Sequence, residues 1–153
     1  MLTVTITVKG NDKVNAKLKR LGSSLYDFGD AMKLIGQKAG DYYSNQAFNS
    51  QGGVYGTPWP ALSPRTLAAK IKLYPQFANV PLVATGTMKD SFEATTTRQS
   101  VVISNTAPYY KYHQSTLPRR KIPRRKMAGI NAPIKKIVKT ILQDDIKRKI
   151  RSA

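Results

Sequence analysis

The chain has no cysteine, a single histidine and a single tryptophan among 153 residues, and only 8 acidic side chains against 26 lysines and arginines. Without cysteine there are no disulfides and no thiolate metal sites, which is compatible with a reducing compartment. A lone histidine with neither cysteine nor a carboxylate cluster beside it makes a poor metal site, so no metal and no cofactor are expected. No apolar run approaches the ~20 residues of a membrane span, and the first residues lack a basic stretch leading into an apolar one. The expectation is a soluble, unprocessed protein without a membrane partner.

What the chain has in excess is positive charge, a formal net +18. Residues 1–110 carry 12 Lys/Arg against 6 Asp/Glu, whereas residues 111–153 carry 14 against 2. Two-thirds of the excess therefore sits in the last third of the sequence. Such a field favours an acidic partner, whether nucleic acid, an anionic surface or an acidic protein.

The length fits one α+β domain spanning residues 1–153. Leu2, Val4, Ile6 and Val8 alternate with threonines and predict a half-buried strand. Asp12 can cap a helix in which Val14, Leu18 and Leu21 recur while Lys13, Lys17 and Lys19 face water, and Gly22 ends or bends it. From about Ser24, an apolar stripe through Leu25, Phe28, Met32, Ile35, Ala39 and Tyr42 or Tyr43 predicts the main core helix. Gly29, Gly36 and Gly40 fall on one face of that helix, which reads either as close packing or as a weak, kinked helix.

A connector follows, Gln51 to Lys70, in which Gly52, Gly53, Gly56, Pro58, Pro60 and Pro64 surround Trp59. Glycine opens backbone conformations closed to other residues and proline fixes φ, so this segment should hold one shape and dock its tryptophan. Ser63 and Pro64 start a short helix to about Lys72, and 73–81 reads as irregular. The stretch 82–105 predicts strands, with a hairpin whose polar turn lies at Thr96–Gln99. Pro108 to Gln114 reads as a helical turn, residues 115–132 as a mobile basic loop, and Pro133 opens a last amphipathic helix. There Asp144 and Asp145 can pair with Arg148 and Lys149. The architecture expected is a small, mainly antiparallel sheet from the N-terminal strand and the 82–105 strands, covered by the 24–47 and 133–150 helices. A Gly/Pro loop (about 49–62) and the basic loop (about 115–132) project from it.

Catalytic chemistry finds little support. His113 would need a nucleophile and an orienting acid brought to it by the fold, and no motif announces them. Asp27/Asp30 and Asp144/Asp145 sit where capping or charge pairing is the usual role, and Gly52-Gly53-x-x-Gly56 lacks the strand and the Lys-Ser/Thr of a phosphate loop. The chain is read as a non-enzyme. Arg119, Arg120, Lys121, Arg124, Arg125 and Lys126 form two basic triplets around Ile122-Pro123. They suit phosphates or acidic side chains, but lack the aromatics needed for base stacking, so a nucleic-acid contact would be electrostatic and salt-sensitive. The alternatives are a solvated loop or a sequence-independent nucleic-acid-binding surface on the basic C-terminal third.

Several separated motifs together resemble the virion morphogenesis, or tail-completion, proteins of tailed bacteriophages. They are Phe48 with Gln51-Gly52-Gly53-x-x-Gly56-x-Pro58-Trp59-Pro60-x-Leu62-Ser63-x-x-Thr66-Leu67-x-x-Lys70, then Leu82-x-x-Thr85-Gly86-x-Met88-x-x-Ser91 and Val101-Val102-Ile103. Tyr110, Tyr112-His113-Gln114 and Ile122-Pro123-x-Arg125 follow in order, before the terminal helix. After that arginine the family tends to place an aromatic residue, where this chain has Lys126-Met127. The resemblance implies a structural protein of the phage neck at the head-tail junction. It would be assembled in the host cytoplasm, would work by binding alone, and would form a homo-oligomeric, by analogy hexameric, ring among neck and tail proteins. In that setting Trp59, Pro58, Pro60, Leu62, Arg119, Arg120, Arg124 and Arg125 are expected at a subunit or partner contact. Lys121, Lys126, Lys135, Lys136 and Lys139 would face the DNA path or an acidic partner. The competing role for Trp59 is to close its own subunit's core.

Overall fold

The computed structural model describes residues 11–117 and 121–152. The chain is α+β, and the described residues form six α-helices and one antiparallel hairpin in the order α1 (Asn11–Ser24), α2 (Gly29–Tyr42), α3 (Pro64–Leu73), α4 (Thr87–Asp90), β1 (Phe92–Thr96), β2 (Val101–Asn105), α5 (Tyr110–Gln114) and α6 (Ala132–Ser152). The strand expected over Leu2–Val8 lies outside the described residues. The sheet among the described residues is the two-stranded β1–β2 pair.

α2 is the core helix that the stripe predicts, burying Ala31, Met32, Ile35, Gly36 and Ala39. It starts at Gly29 rather than near Ser24, because residues 26–28 form a joint: the Asp27 carboxylate accepts the Gly29 N–H at 2.9 Å, and the Phe28 N–H donates to the Arg98 carbonyl at 2.9 Å. Past Tyr42 the helix continues through a π turn, Tyr43–Ala47. The residue this inserts shifts the buried face, so that Tyr43, Ala47 and Phe48 all turn inward.

The three glycines of this helix divide. A Cβ built on Gly36 would lie 2.7 Å from Ala94 Cβ and 3.3 Å from Val101 Cγ2, so the hairpin rests directly on the helix backbone there. A Cβ on Gly40 would meet nothing, and one on Gly29 only the Asp27 carboxylate. Close packing thus accounts for Gly36 alone.

β1 and β2 pair antiparallel, with Ala94 opposite Ile103 and Thr95 opposite Val102. The predicted strand content of 82–91 is corrected. Leu82 takes φ +63° directly after Pro81, and Gly86 at φ +88° leads into α4, neither of which an extended strand accommodates. Met88 is instead buried from the helix. Further on, α3 opens as its sequence predicts, the Ser63 hydroxyl accepting the Thr66 N–H at 3.2 Å with Pro64 in the first turn.

Two apolar clusters make the core. One joins Phe48, Trp59, Val83, Met88, Ala107 and Met127; the other joins Ala39, Tyr43 and Ile134; Phe92 packs against both. Edge-to-face rings brace the first, with Phe48 to Trp59 at 5.2 Å and Phe92 to Tyr110 at 5.9 Å, and Phe92 reaches the second through Tyr43 at 5.7 Å. Each such pair contributes about 0.5–1.5 kcal/mol beyond its buried area. α6 lies along α2 through Ile134, Ile137 and Val138. Its Asp145 is buried and holds Arg148 and Lys149 at 2.5 Å each.

Candidate functional site

The Gly/Pro connector closes around Trp59. Gln51 and Gly52 adopt positive φ, +48° and +83°, which brings the Trp59 N–H to the Gln51 carbonyl at 2.7 Å. A side chain on Gly52 would occupy the space of the indole ring, so only glycine fits. Trp59 itself is 6% exposed, stacked edge-on against Phe48, and its indole N–H donates to the Lys126 carbonyl at 2.8 Å. The competing role describes its surroundings: it closes the core of its own subunit.

That last bond reaches the segment read as a mobile loop. From residue 125 onward it is a strap stitched to the body, which corrects the expectation. Its main chain is satisfied by four side chains from three other parts of the fold. Tyr55 donates to the Met127 carbonyl at 3.0 Å and Tyr43 to that of Gly129 at 3.2 Å. The Gln114 amide oxygen accepts the Met127 and Ala128 N–H groups at 2.8 and 3.2 Å, while its nitrogen donates to the Ala128 carbonyl at 2.7 Å. The Arg125 N–H reaches the His113 carbonyl at 2.9 Å. Asn131 ends the strap, donating to Tyr42 Oη and the Val54 carbonyl and capping α6 through the Ile134 N–H. Met127 is fully buried.

Arg125 is the one buried cation of the strap, 6% exposed. Its guanidinium donates to the Pro60 carbonyl from Nε and Nη2, at 3.1 and 2.9 Å, and to Ala61 at 3.2 Å. It is therefore a clamp between strap and connector. Burial lowers its pKa and that of Lys70, and both answer it by donating to carbonyls; Lys70 holds those of Val80 and Val83 at 2.5 and 2.6 Å. Burial likewise raises the phenols of Tyr43 and Tyr55 and pushes Tyr110 up to about 12. The two strap-bonding phenols are thus neutral donors at any physiological pH.

Between connector, α3, the 82–88 segment, α5 and strap lies a groove of about 550 Å³. Leu62, Leu82, Val83 and Ile122 form apolar walls, and Lys70, His113, Lys121 and Arg125 bring positive charge or hydrogen-bonding nitrogen to it. Among the described residues no aspartate or glutamate lines it. No group of three His, Cys, Asp or Glu among them is placed to hold a metal. The arrangement offers an apolar and cationic surface for binding.

The remaining predicted contact residues scatter. Pro58 and Pro60 are exposed beside the buried tryptophan, and Leu62 lines the groove half-buried. Arg119 and Arg120 lie outside the described residues. Arg124 is exposed and donates to the Gln114 carbonyl at 3.4 Å. Lys121 sits on the groove rim, while the Lys126 ammonium lies 4.8 Å over the Tyr55 ring. Lys135, Lys136 and Lys139 are exposed on α6. Sequence reasoning gave no role to Lys70, Gln114 or Asn131. Only Asn131 carried a local signal, an N-cap residue ahead of Ala132-Pro133.

A family model described as the phage virion morphogenesis family matches residues 10–147. The chain belongs to that family and has a structural role in phage assembly. No curated protein and no solved structure gives a match. No helix among the described residues is long and apolar enough to cross a membrane.

Proposed function

We propose that this member of the phage virion morphogenesis family completes or terminates the tail and joins it to the head, as a homo-oligomeric ring in the neck of the virion. The observation that carries the reading is the groove. Motif residues far apart in sequence converge on it, among them Leu62, Lys70, Leu82, Gly86, His113 and Arg125. They build a binding surface without an acid–base constellation, as a protein working by contact alone requires. Residues 1–153 act in this reading as one domain that presents the groove, and the exposed prolines 58 and 60, to neighbouring neck and tail proteins.

Phage assembled without the protein should accumulate as separate heads and tails, and added protein should join them. Joined, infectious particles formed in its absence would end the reading. Imaging of virions carrying a tagged copy should place it at the head-tail junction.

The exposed Lys135, Lys136 and Lys139 on α6 favour a second role, contact with DNA. In the ring they would face the DNA path. The rival is a free nucleic-acid-binding protein. Affinity for duplex DNA measured across a salt series separates the two: weak, steeply salt-dependent binding fits the ring, whereas tight binding by a monomer at physiological salt fits the rival.

A further inference from the structure

The first part of helix α1 and the groove between α2 and α6 are complementary surfaces left uncovered among the described residues; only the end of α1 is half-buried, where the helix meets α6. Residues 13–20 are exposed throughout, Val14 and Leu18 at 55% and 59%. Yet Val14, Leu18, Leu21 and Leu25 repeat at the alternating four-and-three spacing of a helix–helix seam. A helix of 14 residues is marginal in water unless a face is packed. Lys13, Lys17, Lys19 and Arg20 surround the seam.

The α2–α6 groove, about 340 Å³, has an apolar floor of Ala31, Leu34 and Ile141, and its edges carry Asp30, Asp144 and Asp145. Leu34 is 42% exposed. Arg148 also reaches the groove, held by Asp145 at 2.5 Å. Asp145 is already neutralised by Arg148 and Lys149, so the charge complementarity rests on Asp30 and Asp144, which have no ion pair among the described residues; at an apolar groove they favour a basic amphipathic helix as its occupant. The chain's own α1 meets α6 but does not line this groove. The joint that follows it is tied to the hairpin turn by the Phe28 N–H on the Arg98 carbonyl and by the Asp27–Arg98 pair at 3.9 Å.

We propose that α1 of one subunit docks into the α2–α6 groove of a second copy. The proposal rests on the homo-oligomer reading and names the surfaces that meet. Charge selects this pairing, since two α1 helices set together would oppose their lysines. Each subunit then offers one helix and one groove, a head-to-tail contact that propagates and closes when the rotation permits.

The absence of native cysteine makes cross-linking a direct test. Full-length L18C mixed with full-length L34C under mild oxidation should give a mixed disulfide dimer, and the double variant should give a ladder. Asp30→Lys with Asp144→Lys in the L34C chain should cut the mixed yield several-fold, and Lys13→Glu with Lys17→Glu in the L18C chain should restore it. Preferential L18C homodimers, or an intramolecular link without a ladder in the double variant, would overturn the proposal. Oligomers in sedimentation without the mixed disulfide overturn the docking and leave the ring standing. A chain that stays monomeric, alone and with duplex DNA, and gives no mixed product overturns both.

Discussion

The strap of residues 121–131 and helix α1 are both strongly basic, and their places in the fold are the reverse of what composition suggests. The strap, rich in arginine, proline and glycine, is pinned along its second half and buries Met127 and Arg125. α1, with a regular apolar stripe, stands exposed from Lys13 to Arg20. What separates them is where their backbone and apolar groups find partners. α1 satisfies its own main chain and needs a partner only for its stripe. The strap has no regular structure, so every buried N–H and C=O must be met from elsewhere. Tyr43, Tyr55, Trp59 and Gln114 meet them.

Removing the strongest of these fasteners should loosen the strap most. Trp59→Ala empties the centre of one core cluster and orphans the Lys126 carbonyl. A loss of about 3–5 kcal/mol is expected, a fall in Tm on the order of 10 °C. Amide hydrogen exchange should show residues 125–131 losing protection along with the connector. A variant with unchanged exchange there would mean the strap does not depend on the tryptophan.

Next in size is Gly52→Ala, which forces φ +83° on an L side chain and pushes its Cβ into the indole. About 1–3 kcal/mol is expected in denaturant unfolding. The contrast within α2 checks the same logic with opposite signs. Gly36→Ala should destabilise, by driving the hairpin off the helix. Gly40→Ala, with nothing in the way, should stabilise by up to about 1 kcal/mol.

The elements with a local signature were legible in the sequence: the α2 stripe, the Ser63-Pro64 start of α3, the hairpin and the α6 pairs around Asp145. Residues 82–91 read as strand, which the structure corrects. Their apolar character is a strand's, but left-handed Leu82 and Gly86 turn the chain into α4, and a positive φ at leucine leaves no mark in composition. The strap was illegible for a different reason. Its order comes from hydrogen-bond partners 13 to 86 positions away in sequence, such as Gln114 and Tyr43. For the groove, the motif residues were visible but their convergence was not, because only the fold brings Lys70, His113 and Arg125 to one place.

A smaller effect is confined to acid. Burial raises the Asp145 carboxyl, but hydrogen bonds from Lys149 and Arg148 outweigh it and hold the group below its ordinary value. Its contribution is therefore complete above the unfolded-state pKa of about 3.9 and is lost as pH falls through the lower folded value. Acid unfolding of wild type should show this component. Asp145→Asn should lack it, with the two stability profiles converging at low pH; parallel profiles would show that the pair contributes nothing in acid.

The smallest expected change falls on α1, where it tells whether the exposed stripe matters to one chain or to several. Leu18 is 59% exposed and on the part of α1 that projects from the body. Leu18→Gln keeps a straight, helix-compatible side chain, so the unfolding free energy of the dilute protein should change by less than about 0.5 kcal/mol. If α1 packs on a second copy, the same substitution should shift oligomer formation in sedimentation to clearly higher protein concentration, since a buried leucine is worth about 1.5–3 kcal/mol. A large loss in the dilute monomer would instead place the stripe in the chain's own core, and would make α1 a second strap and not its opposite.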